Sequence, residues 1–92
     1  MITAIVFIQA EVSQIAATGA LIADLPGVSE VYSVTGDHDL IAMVRVHDVD
    51  EIAAVVADRI NQVDGVLSTQ TQIAFRTFSR HDLEDAFSIG LD

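Results

Sequence analysis

Two short clusters concentrate the residues able to hold a polar ligand. The first is Thr35-Gly36-Asp37-His38-Asp39, which places two carboxylates and an imidazole beside a glycine between two apolar runs. Turn chemistry accounts for Gly36 and one aspartate, because both residue types meet local backbone needs where a chain reverses. The sharper reading has Asp37 or Asp39 receiving a ligand ammonium, with free backbone N–H groups receiving its carboxylate. The second cluster is Ser68-Thr69-Gln70-Thr71-Gln72, a polar run between Val66-Leu67 and Ile73-Ala74-Phe75. A solvated strand end explains this run as well as a hydroxyl and amide cluster would, since threonine is a good strand former anyway.

Other chemistry finds little support. His38, His47 and His81 each adjoin an aspartate but fall in three different loops or strand ends, without the i, i+4 spacing of a helical zinc motif. No metal site or cofactor is expected. The chain has no cysteine nucleophile, no glycine-rich phosphate loop and no G-x-S-x-G elbow, so no catalytic residues are assigned and an enzyme is not expected. Asp82, Glu84 and Asp85 read as a solvated face rather than paired acids.

The whole composition narrows the partners. Fourteen Asp and Glu stand against four Arg and no Lys, a formal charge of −10. Nucleic acid and anionic membranes are both recognised through basic side chains, so neither is an expected direct partner. No apolar run is long enough to span a bilayer, and Met1-Ile2-Thr3-Ala4 carries no basic segment of a signal peptide, so the cytoplasm is the default location. A 92-residue chain supports one domain with a marginal core, yet 51% of its residues are hydrophobic. Surplus apolar surface on a small chain is most simply buried against further copies.

The elements that would position the clusters follow from pattern. Leu25-Pro26-Gly27-Val28 recurs 38 residues later as Val63-Asp64-Gly65-Val66, and the same offset lays Ile2–Ile8 on Leu40–Val46. Ile2–Ile8 reads as a strand, and Ser13 as the cap of a helix reaching Asp24. Pro26 and Gly27 end that helix, and Val28–Val34 and Leu40–Val46 follow as strands around the turn. Asp48 and Glu51 form an acidic capping box. Ile52, Val55, Val56, Ile60 and Val63 then make a helical stripe, and Val66–Phe78 a long last strand. The order βαββαβ predicts a ferredoxin-like α+β sandwich over residues 1–80: a four-stranded antiparallel sheet with both helices on one face. The bare face predicts dimerisation through the sheets. Residues 81–92 are expected as an acidic tail or short helix.

In the order Thr35-Gly36-Asp37-His38-Asp39-Leu40, then Asp48 to Ile52, then Asp64-Gly65-Val66-Leu67-Ser68-Thr69-Gln70-Thr71, the chain resembles the effector-binding domain of the Lrp/AsnC transcription regulators. The resemblance covers nearly the whole chain, to Phe78. It implies a homo-oligomeric amino-acid sensor in which sheet-joined dimers assemble into rings and effectors sit between dimers. Carried over by position, Gly36 and Asp39 match the turn, and Thr69 and Thr71 match the strand, with Ser68 and Gln70 as their neighbours. Asp39 would receive the ligand ammonium and amides near Gly36 its carboxylate. Three departures stand out: the first strand begins at Met1 with no helix-turn-helix before it, Asp64 replaces a usual proline, and an acidic tail replaces a usual basic residue. A stand-alone member is the expectation, acting through partners such as full-length Lrp/AsnC regulators or metabolic enzymes. A small dimeric α+β barrel enzyme of the monooxygenase type, or a purely structural oligomer, is the competing expectation. The absence of Trp and the loop positions of the histidines count against the enzyme.

Overall fold

The structure is a computed structural model that describes residues 1–80. The chain runs β1 (Ile2–Ala10), α1 (Ile15–Ala23), β2 (Val28–Ser33), β3 (Leu40–Val46), α2 (Val49–Ala53) and β4 (Val66–Ala74). The four strands form one sheet in the order β2-β3-β1-β4, antiparallel throughout. This is the ferredoxin-like arrangement, with the two most apolar strands at the centre.

Alternation along the central strands decides where the core sits. Ala4, Val6, Ile8 and Ala10 of β1 share a face with Leu40, Ala42, Val44 and Val46 of β3, and all eight are buried. Ile22 of α1 and Ile52, Val55 and Ile60 of the second helical segment close over that face. The opposite face carries Ile5 and Phe7 against Met43 and Ile41, half-buried with no layer of the described chain above them.

Several local features differ from the sequence expectation. Ser13 does not cap α1: it lies in a tight 3-10 turn, Val12–Gln14, and the helix starts at Ile15 with no side-chain cap. The second helix is capped as expected, Asp48 Oδ1 accepting from Glu51 N and Glu51 Oε2 accepting from His47 N, each at 3.0 Å. Its stripe does not sit on a uniform helix, however. After Ala53 the backbone widens into a π-helical stretch, Ala54–Arg59, and then tightens into a 3-10 turn, Ile60–Gln62. The widened turn puts Val55 and Ile60, five residues apart, into the same core. The last strand ends at Ala74 rather than Phe78, because β1 pairs with it no further than Thr3. The expected tail at 81–92 lies outside the described residues.

Candidate ligand-binding site

Antiparallel pairing brings the two polar clusters to one end of the sheet. β3 begins beside the end of β1, with Leu40 opposite Ile8, and β4 begins there too, with Ser68 opposite Gln9. The turn before β3 is anchored by Asp39. Its N–H donates to Ile8 O at 2.9 Å, its carbonyl accepts from Val34 N at 3.1 Å, and its carboxylate Oδ2 accepts from Ala10 N at 2.8 Å. The carboxylate thus satisfies the last N–H of β1, where the register with β4 slips and leaves Leu67 unpaired. Gly36 has φ 104° and open space around it, so the turn needs glycine for its backbone and not for want of room.

Gln9 joins the clusters. Its Nε2 donates to Asp37 O at 3.1 Å and its Oε1 accepts from Ser68 Oγ at 3.0 Å. Two positions back along β1, Phe7 meets the His38 ring at 5.3 Å between centroids, tilted by 49°. Phe7 lies opposite Gln70, so Phe7, Gln9, Ser68 and Gln70 occupy one corner of the open sheet face. Asp37 is exposed there, and its carboxylate has no partner among the described residues.

The polar run of β4 is divided between two faces. Ser68 and Gln70 stand on the open face, whereas Thr69 and Thr71 lie opposite Ile8 and Val6 and so share the helix side. Thr69 is tied there by its hydroxyl, which donates to Asn61 Oδ1 at 2.8 Å. The structure therefore gathers Asp37, His38, Ser68 and Gln70 at one corner with Gln9 and Phe7, and sets Thr69 and Thr71 on the other side of the same edge strand. Gln9 and Phe7 escaped the sequence reading. The available signal was Gln9 itself, a polar residue following the alternating Ile5 and Phe7 at the end of β1. Among the described residues no three His, Cys, Asp or Glu side chains converge as a metal site would require, and no helix is long and apolar enough to cross a membrane.

With this geometry in place, comparison with known proteins is decisive on one point. Residues 3–83 match the family model described as the Lrp/AsnC ligand binding domain. The chain belongs to the Lrp/AsnC family. TTHA0845 of Thermus thermophilus, a solved structure, is 49% identical, superposes with a TM-score of 0.82, and is matched over 87% of this chain and 100% of its own. A Neisseria meningitidis transcriptional regulator, solved as a complex with L-Met, matches 86% of this chain and 53% of its own with a TM-score of 0.72. At 17% identity that likeness concerns the fold alone. Among curated proteins, an uncharacterised HTH-type transcriptional regulator of Pyrococcus horikoshii is 41% identical over 56 residues, 61% of this chain and 37% of that protein. The chain thus spans less than half the length of the curated Lrp/AsnC relatives it matches. The family is regulatory, and this chain is a ligand-binding domain of it.

Proposed function

We propose that this chain is an amino-acid-sensing, oligomerising regulatory domain that acts on transcription regulators or metabolic enzymes through protein contacts and does not itself touch nucleic acid. One observation carries the reading: Gln9 links the Gly36–Asp39 turn to the start of β4, so two polar clusters far apart in sequence form a single corner. That corner offers the complementary groups an α-amino acid needs. The Asp37 carboxylate and the uncommitted Oδ1 of Asp39 face the ammonium, and backbone N–H groups around Gly36 hold the carboxylate. Gln9, Ser68 and Gln70 supply neutral donors and acceptors, and the Phe7–His38 pair supplies an aromatic wall.

Asp37, Ser68, Gln70 and Thr71 are exposed, so the corner is an open half-site. A ligand is desolvated there only when another copy closes over it, which couples binding to assembly. Thr69 and Thr71 belong to the proposal as residues of the same edge strand, reached from its helix side. The Neisseria relative of the same fold, solved with L-Met, supports the reading in that its architecture accommodates an amino acid in that protein. The acidic charge supports indirect rather than DNA-contacting action.

The test is calorimetric titration of the purified chain with individual proteinogenic amino acids, its mass followed in parallel by light scattering. Binding of one or a few amino acids, with a shift in mass and a loss of heat in Asp37→Ala, is the expected result. Silence across the panel at millimolar concentration, with an unchanging mass, overturns the sensor reading and leaves a structural oligomer.

A further inference from the structure

The polar corner occupies one end of the sheet, and a second recess, of about 390 Å³, lies at the other. It opens where β3 ends, roughly 20 Å along the strand from Leu40. Its volume is within the roughly 300–1,000 Å³ typical of ligand pockets. Pro26 and Gly27 contribute one wall, Val46 another, and Ala54, Val55 and Arg59 of the widened helical stretch a third.

The widened turn is what puts Arg59 there. Residues five apart stand about 140° apart around an ordinary helix, whereas an i→i+5 turn brings them onto one face. Val55 and Ile60 are one such pair and enter the core; Ala54 and Arg59 are the adjacent pair and line the recess. The facing turn is held firmly. Gly27 has φ 92°, and a Cβ there would come within 2.5 Å of Val55 Cγ2, so its backbone lies directly against the helix. Arg45 N donates to Gly27 O at 3.0 Å, and Arg59 Nη1 donates to Pro26 O at 2.9 Å.

The bond to Pro26 uses one of the five N–H donors of the Arg59 guanidinium, and no carboxylate among the described residues pairs with the others. Residues 1–74 hold two cations, Arg45 and Arg59, against ten Asp and Glu, and both cations border this recess. Arg45 Nη1 is committed to Glu30 at 3.0 Å. Arg59 is half-buried, so water and salt screen its charge less than that of a surface side chain. A planar guanidinium fork between aliphatic walls suits one carboxylate with a short apolar tail. Glu51 borders the recess too, its Oε2 accepting from His47 N at 3.0 Å. That carboxylate and the formal charge of −10 oppose a multiply charged phosphate.

We propose that this recess is a second ligand site, one that takes a small aliphatic monocarboxylate. Arg59 holds the carboxylate, and Pro26, Val46 and Val55 receive the apolar tail. The site shares no residue with the Gly36–Asp39 corner and does not depend on the amino-acid reading.

Proton–nitrogen correlation NMR of the labelled full chain, titrated with isovalerate, tests it, with inorganic phosphate at equal ionic strength as the control anion. Millimolar isovalerate should saturably shift the amides of Gly27, Val46 and Val55 and the Arg59 Nε–H, leaving Gly36, Asp39 and Ser68 in place. Phosphate should leave all of them unmoved. Arg59→Gln should weaken binding at least tenfold. Because that change also releases Pro26 O, Ala54→Leu serves as a second variant: it fills the recess, keeps Arg59, and should weaken binding as much. If the Arg59 signal stays still in the parent chain, or the shifts centre on the corner, the recess is not a site. If phosphate shifts the same signals as strongly, the carboxylate assignment fails. Parental affinity in a folded Arg59→Gln chain removes Arg59 from its role.

Discussion

The two faces of the central strands are built from similar residues and have different fates. On β1 and β3, Val6, Ile8, Ala42 and Val44 are fully covered, while their alternating neighbours Ile5, Phe7, Ile41 and Met43 have nothing of the described chain above them. Hydrophobicity does not separate the sets; the landing side of the helices does. Polar groups frame the open face at both ends, Arg45 with Glu30 at 3.0 Å at one and Gln9 with Ser68 at the other. An apolar centre with a polar rim is how an interface is built, not a surface meant for water. The candidate site lies on that rim. A ligand there is therefore well placed to report on what covers the centre.

Substitutions that strike one face and spare the other test this contrast. The largest effect belongs to the covered side. Ile8→Ala opens a cavity at a position with 0% exposure and should cost about 2–5 kcal/mol, lowering the urea midpoint of the monomer. Gly65→Ala should follow at about 3 kcal/mol, because its φ of 94° suits glycine and an added Cβ would collide with the buried Thr18. Asp39→Ala, at the rim, orphans the Ala10 N–H and should cost about 1.5–3 kcal/mol, together with the heat of amino-acid binding. A variant that binds with undiminished affinity would exclude Asp39 from the site. Smallest in stability is Ile41→Ala on the open face, about 1 kcal/mol or less in a dissociated chain. It should nonetheless raise the dissociation constant of the assembly measured by light scattering. Equal loss of stability from Ile8→Ala and Ile41→Ala in the monomer would erase the distinction between the faces.

Much of the fold was legible because its determinants are local. The largely apolar run Leu40–Val46 coincides with β3, and the Asp48–Glu51 box starts α2 as its spacing implies. The order of the motifs sufficed to suggest the family. The site was legible only in part. Alternation separates Ser68 and Gln70 from Thr69 and Thr71, yet strand periodicity does not say which pair the helices cover. Gln9 was hidden because its partners are 28 and 59 residues away. Asp39 was visible as a carboxylate, but its bond to Ala10 N depends on the register of β1 with β3 and on the bulge at Leu67. The π-helical stretch at Ala54–Arg59 was invisible for a related reason: a 3.6-residue period already fits Ile52, Val55 and Ile60 loosely, and only packing chooses the wider turn.

By itself the sequence determined the alternating apolar strands, the capped second helix, the acidic charge that argues against nucleic-acid contact, and the motif order of an Lrp/AsnC domain. Those are properties of residue type and spacing within a few positions, where propensity and short-range hydrogen bonds decide. Tertiary structure alone decided which face of the sheet is covered, where β4 stops, and how Gln9 joins the turn to the strand. Each of these depends on strand order and register, which depend on pairings between segments distant in the chain and on packing summed over the whole core.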